Sequence, residues 1–264
     1  MSSGSIKKPP LDSTNLVREG KPHQPLPEGA YGQDLTIRMA SLRQLQWWAS
    51  ALVVLPVFIQ APWVRVHPLS ACFFTAGILG LGLYLAQRGS DEWSEGGELL
   101  VGMSASWLAG CVFWGWLRAQ PVWHLPVESF ALPLALVALN SRWRVSSSFY
   151  LASLLGTACT DLMMKITGVM DQWPAVVEAP LNEAPILLNT TAKQLLHPQP
   201  VVALVSAALL LGFMAQTMQT KGINVPSSAQ NAWAVASSVL VTTVVIDGLF
   251  LIAALIAPSL SGLI

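Results

Sequence analysis

Three ionisable residues, Asp161, Lys165 and Asp247, stand inside long apolar runs. Placing a charge at the centre of a bilayer costs at least about 2.5–3.5 kcal/mol, so such groups pair with one another or line a polar space. Asp161 and Lys165 are four residues apart with the acid first, the better order for an ion pair on one helix face. One reading is a neutralised pair whose lysine snorkels towards the interface. The other makes Asp161 part of a polar site or proton path. Asp247 follows Thr242 and Thr243, precedes Gly248 and has no charged partner on its own run. It either bonds to a neighbouring helix, through Lys165, a hydroxyl or a backbone group, or belongs to an ion or proton path.

A second group sits at the ends of the runs. His67, His124 and His197 each precede an apolar stretch, Glu128 lies one helical turn after His124, and Arg118 is close before it. A carboxylate near a helix N-terminus is electrostatically favoured, which gives Glu128 a capping role. If the three histidines converged, they would suit a metal ion, a porphyrin metal centre or a proton. Cys72, Cys111 and Cys159 lie too far apart for a metal knuckle and read as packing residues. Gly102, Ser106 and Gly110, and likewise Ser153, Thr157 and Asp161, recur every four positions and would let helices approach closely.

Several chemistries are excluded by what is missing. The sequence holds no HExxH, no GxSxG, no phosphate loop and no dinucleotide fingerprint. The last apolar run has no lysine to form a retinal Schiff base. No catalytic residue is assigned, the reading leans against an enzyme, and no cofactor is identified.

The elements that must position these residues follow from composition. Of 264 residues 53% are hydrophobic and 11% charged, against about 25% charged in a soluble domain. Lys plus Arg equals Asp plus Glu at 14 each, which gives no hint of a nucleic-acid partner. Residues 1–43 are polar and rich in Pro, Gly and Ser, and read as a disordered tail. Residues 44–264 read as a transmembrane helical domain. Its spans fall near 45–64, 68–87, 98–117, 125–140, 148–170, 200–219 and 230–257, each judged against the roughly 20 residues needed to cross. The expected fold is therefore an all-α polytopic bundle of about seven spans, since lipid tolerates only backbones that satisfy themselves. Pro126 and Pro133 break the fourth span, which is short and either tilts little or is partly re-entrant. Pro56 kinks the first. Between 171 and 199 a connection is expected, with a short amphipathic helix near 185–196.

Basic residues orient the bundle. With the N-terminus cytoplasmic, ten lysines and arginines fall inside and three (Arg65, Arg118, Lys193) outside, with Lys165 within a span. Tryptophans 47, 48, 63, 116, 123, 143 and 173 near run ends read as an interfacial belt.

Three segments carry a family resemblance: Pro56–Pro62; Trp114–Arg118 with His124–Glu128; and Phe149–Leu151 with Gly156–Ala158 and Thr160–Asp161. They resemble a domain-of-unknown-function family of multi-spanning cyanobacterial membrane proteins. The resemblance implies a cyanobacterial source and a thylakoid or plasma membrane. It brings Arg118, His124, Glu128, Thr160 and Asp161 forward as matched polar positions. The leading expectation is a non-enzymatic accessory protein that assists assembly or stability of a photosynthetic membrane complex, or binds pigment. The alternative is a small proton-coupled transporter using Asp161, Lys165 and Asp247. Partners are then the lipid bilayer and a membrane complex or pigment.

Overall fold

The computed structural model describes residues 28–223 and 225–260, which contain helices and no strand. Among the described residues, Glu28–Ile37 fall in one compact unit and those from Arg38 onward in another. Of the expected disordered tail, residues 1–27 lie outside the described residues. Helix α1 spans Glu28–Leu55, so the boundary expected at residue 43 falls inside it. Leu35, Met39, Leu42 and Leu45 recur at helical spacing there, which favours starting the helix early.

The bundle continues with α2 (Ala61–Val66), α3 (Pro68–Arg88), α4 (Asp91–Val112), α5 (His124–Glu128) and α6 (Leu132–Ala138). Then come α7 (Arg144–Ile166), α8 (Val169–Glu178), α9 (Ala184–Gln194), α10 (Pro198–Gly222) and α11 (Ser227–Ile256). Among the described residues, six segments are long and apolar enough to cross a membrane: 39–66, 68–88, 93–117, 121–138, 198–222 and 227–256. This is a multi-pass integral membrane protein. The expected fifth span maps onto α7, whose 23 residues reach about 34 Å at 1.5 Å per residue. α7 is long enough to cross, yet its serines, threonines and charges keep it out of the apolar set.

Two of these segments contain a wide π turn, at Pro56–Gln60 and at Phe113–Leu117. Proline lacks an N–H and its ring crowds the preceding turn, and the wide turn at Pro56–Gln60 lies in the turn before such a residue, Pro62. The Ala61 N–H closes the turn on the Pro56 carbonyl. The segment 121–138 is broken as expected: a 3-10 turn at Pro121–Trp123, α5, a second 3-10 turn at Ser129–Ala131, then α6.

α7 is the hub, packed against α4, α6, α8 and α11. Gly102 of α4 meets the backbone carbonyl of Ser146 so closely that a Cβ would collide with it. Glu98 on α4 reaches the Val145 and Ser146 N–H groups at the start of α7, a favourable place for a carboxylate. Leu99, Met103, Trp107, Phe149, Val235 and Val239 form the apolar core beside this seam. On the far side, α1 and α11 are joined by hydroxyls. Ser50 Oγ lies 2.8 Å from Ser238 Oγ, and Thr242 donates to Ser50 at 2.9 Å. Such bonds replace water that lipid cannot supply.

Beyond α7, Gly168 adopts φ +76°, a left-handed turn that lets the chain reverse into α8. The helix expected near 185–196 is α9. Its Asn189 Nδ2 donates to the carbonyls of Ala254 and Leu255 at 3.0 and 2.8 Å, satisfying acceptors at the end of α11. Trp116 and Trp123 are exposed near the ends of apolar segments, and Trp47 and Trp48 are exposed about two turns inside 39–66. Trp173 is not part of the expected belt. It is buried, because α8 folds back over the bundle and turns that ring inward.

Candidate functional site: an acidic cavity inside the bundle

A cavity of about 310 Å³ opens between α1, α4, α5, α7 and α11. Its polar lining comes from several elements. The Ser153–Thr157–Asp161 stripe of α7 faces into it, together with Thr160. The broken segment contributes His124 and Glu128, α4 contributes Ser106, and α11 contributes Thr243 and Asp247. Both π turns border it, through Gln60 and through Phe113 with Trp114. Gln60 is almost completely buried and donates to the Trp107 carbonyl, while its Nε2 also lies 3.0 Å from Cys111 Sγ.

His124 is the centre of the ionisable set. Its Nδ1 lies 2.9 Å from Asp161 Oδ1, and its Nε2 3.5 Å from Glu128 Oε1. The ring lies over Phe113, centroids 4.2 Å apart. A neutral imidazole can donate to only one carboxylate, whereas the protonated ring can donate to both. The proton on His124 therefore decides whether Asp161 and Glu128 are held together. Glu128 Oε2 also accepts from Thr157 Oγ1 at 2.8 Å. The Tyr150 hydroxyl donates to the Glu128 backbone carbonyl and accepts from the Ala131 N–H at 3.2 Å. α7 thus ties down a stretch whose backbone bonds are interrupted. One residue before Asp161, Thr160 donates to Asp247 Oδ2 at 2.7 Å, which links α7 to α11. Trp173 closes the rim, its Nε1 donating to the Arg118 carbonyl at 3.0 Å.

The predicted residues divide clearly. His124, Glu128, Asp161 and Asp247 meet on one cavity. Lys165 does not pair with Asp161 as its spacing allows. It lies 3.6 Å from Asp171, both side chains largely exposed. Lys165 is the penultimate residue of α7 and its long stem follows the helix end outward, while the shorter Asp161 meets a nearer imidazole. His67 and His197 are exposed and do not line the cavity, and no group of three metal-ligating side chains forms among the described residues. Arg118 is present at the rim through its carbonyl. Sequence reasoning missed Gln60, Thr157 and Trp173 as parts of one site, whereas Thr160 came forward through the resemblance. For Thr157 the signal was its place in the four-residue stripe with Asp161. Gln60 offered a weaker one, a polar residue a turn after a mid-span proline.

The family described as Protein of unknown function (DUF3120) matches residues 49–255. The chain belongs to this family. The DUF3120 match includes every residue that lines the cavity, from Leu52 to Phe250. No curated protein and no solved structure matches the chain. What the DUF3120 fold can do must therefore be read from its own cavity.

Proposed function

We propose that this protein is a small proton-coupled permease for a cationic solute, with Asp161, Glu128, Asp247 and His124 as its working set. The observation that carries the reading is the ratio of acids to bases: three carboxyl groups and one imidazole share a partly open cavity inside the helical bundle. Carboxylates in such a place are stabilised by a proton or by a cation, and the two compete. Loading a cation releases a proton, and His124 relays that change between Asp161 and Glu128. Broken segments beside a mid-membrane site are the usual means by which transport folds expose it to one side and then the other. Here the broken segment 121–138 and the two π turns fill that role.

Purified protein in proteoliposomes with a trapped pH dye tests this. Choline, which carries a permanent charge, is added outside. Choline-dependent proton movement that disappears in Asp161→Asn and Asp247→Asn is the expected result. Proton movement identical in protein-free vesicles would remove the proposal.

A second reading keeps the chain as an accessory protein of a photosynthetic membrane. Its support is the resemblance described above and the long apolar faces of α3 and α10, where Phe73, Leu81, Tyr84, Leu209 and Phe213 are exposed. Pigment ligation through His124 is disfavoured, because carboxylates face both of its ring nitrogens. Tagged protein that purifies without pigment or photosystem subunits would count against this alternative.

A further inference from the structure

A second cavity, of about 390 Å³, lies between α7, α9, α10 and α11. Its walls are apolar, built from residues such as Met163, Leu204, Leu211, Val244 and Leu251. Thr160, Met164, Trp173, Asp247 and Phe250 line both cavities. The shared wall is thin, and the Thr160–Asp247 hydrogen bond runs across it from helix to helix. Asp247 is anchored by that bond yet keeps open surface. It stands nine residues before the end of α11 at Ile256, about 14 Å along the axis. A carboxylate at that depth with exposed surface, between an acidic chamber and an apolar one, calls for a ligand that is charged at one end and greasy at the other.

We propose that the two cavities form one bipartite site for an amphiphile with a cationic head group and an alkyl tail. The head sits beside Asp247, within reach of the carboxylates on His124, and the tail occupies the apolar chamber. The proposal rests on the transport reading, whose cation site it extends, and it makes the α7–α11 wall a lateral entrance. Opening that entrance means trading the Thr160 bond on Asp247 for the ligand's head group.

Charge and volume argue for this occupant together. A small hydrated cation would leave the apolar chamber without a use, and a neutral lipid would leave the carboxylates without a counter-charge. Burying an alkyl tail should strengthen binding roughly fourfold for each added CH₂.

Equilibrium dialysis of the full chain in nanodiscs, with protein-free nanodiscs subtracted, tests the proposal. The probes are choline, then butyl-, hexyl- and octyl-trimethylammonium, with octanol as the uncharged control. Affinity is expected to climb with chain length. Ala208→Phe, which fills the apolar chamber, should flatten the climb and leave choline binding in place. Val205→Phe, on the exposed side of the same wall, serves if the first variant does not fold. Asp247→Asn should weaken every charged probe at least tenfold. Equal affinity for choline and octyl-trimethylammonium would overturn the bipartite site while leaving the cation site standing. Octanol binding as tightly as octyl-trimethylammonium would also overturn it, as a groove merely filled by lipid. Absence of choline binding together with absence of choline-driven proton movement would remove both readings at once.

Discussion

α7 and α10 are close in length but differ in almost everything else. α10 is strongly apolar, and little of it is buried. It gives Leu211, Ala215 and Gly222 to the interior and shows Val202, Leu209 and Phe213 outside. α7 falls short of the six apolar segments, yet it buries Ser146, Ser147, Phe149, Tyr150, Gly156 and Asp161 among others. The apolar helix turns most of its surface outward, and the polar one supplies the Ser153–Thr157–Asp161 stripe of the cavity. A polar stripe can exist at membrane depth only if neighbouring helices cover it, so α7 is central because it is polar.

That contrast can be broken by substitution, and the expected costs fall in a definite order. Asp161→Ala should cost most, about 3–5 kcal/mol, because it strips a partner from the partly buried imidazole of His124. Thermal unfolding in detergent reads the loss, and a variant as stable as the parent would show that the His124 contact is dispensable. Gly102→Leu comes next at about 1–3 kcal/mol or more, since its side chain must displace the Ser146 backbone. Yield of monodisperse protein on gel filtration is a direct measure, and normal yield would mean that the α4–α7 seam is loose. Thr160→Val removes a single hydrogen bond to Asp247 and should cost about 1 kcal/mol. Urea titration in mild detergent can resolve it, and no shift would mean that Asp247 has another partner. Leu209→Ala on α10, 68% exposed, should stay within about 0.5 kcal/mol. If that change proved as damaging as the α7 substitutions, α10 would be an interface and not a lipid-facing helix.

Legibility in the sequence followed the range of the interaction. Span positions could be read because apolar runs are local, and the broken fourth segment because Pro126 and Pro133 announce it. The His124–Glu128 proximity was visible as a one-turn spacing. For Asp161 the same logic misled: Lys165 stands at the right local distance, but the structure pairs Asp161 with His124, 37 positions away. Asp247 was recognisable as needing a partner, and a hydroxyl was among those expected. Which hydroxyl, Thr160, depends on how α7 and α11 pack, and no spacing rule encodes that. Trp173 was read as a belt residue because composition cannot tell which way a short helix folds over a bundle.

The two wide turns bear on how such a bundle moves. Each holds one surplus residue inside an otherwise regular coil, much as a dislocation sits in a crystal lattice. Shifting that surplus along the chain exchanges a few backbone bonds and leaves the helix unbroken, yet every side chain it passes swings by about 100°. At Pro56–Gln60 such a slip would carry the Gln60 amide away from the Trp107 carbonyl and re-aim one wall of the chamber, a rotation about the helix axis achieved without tilting the helix itself.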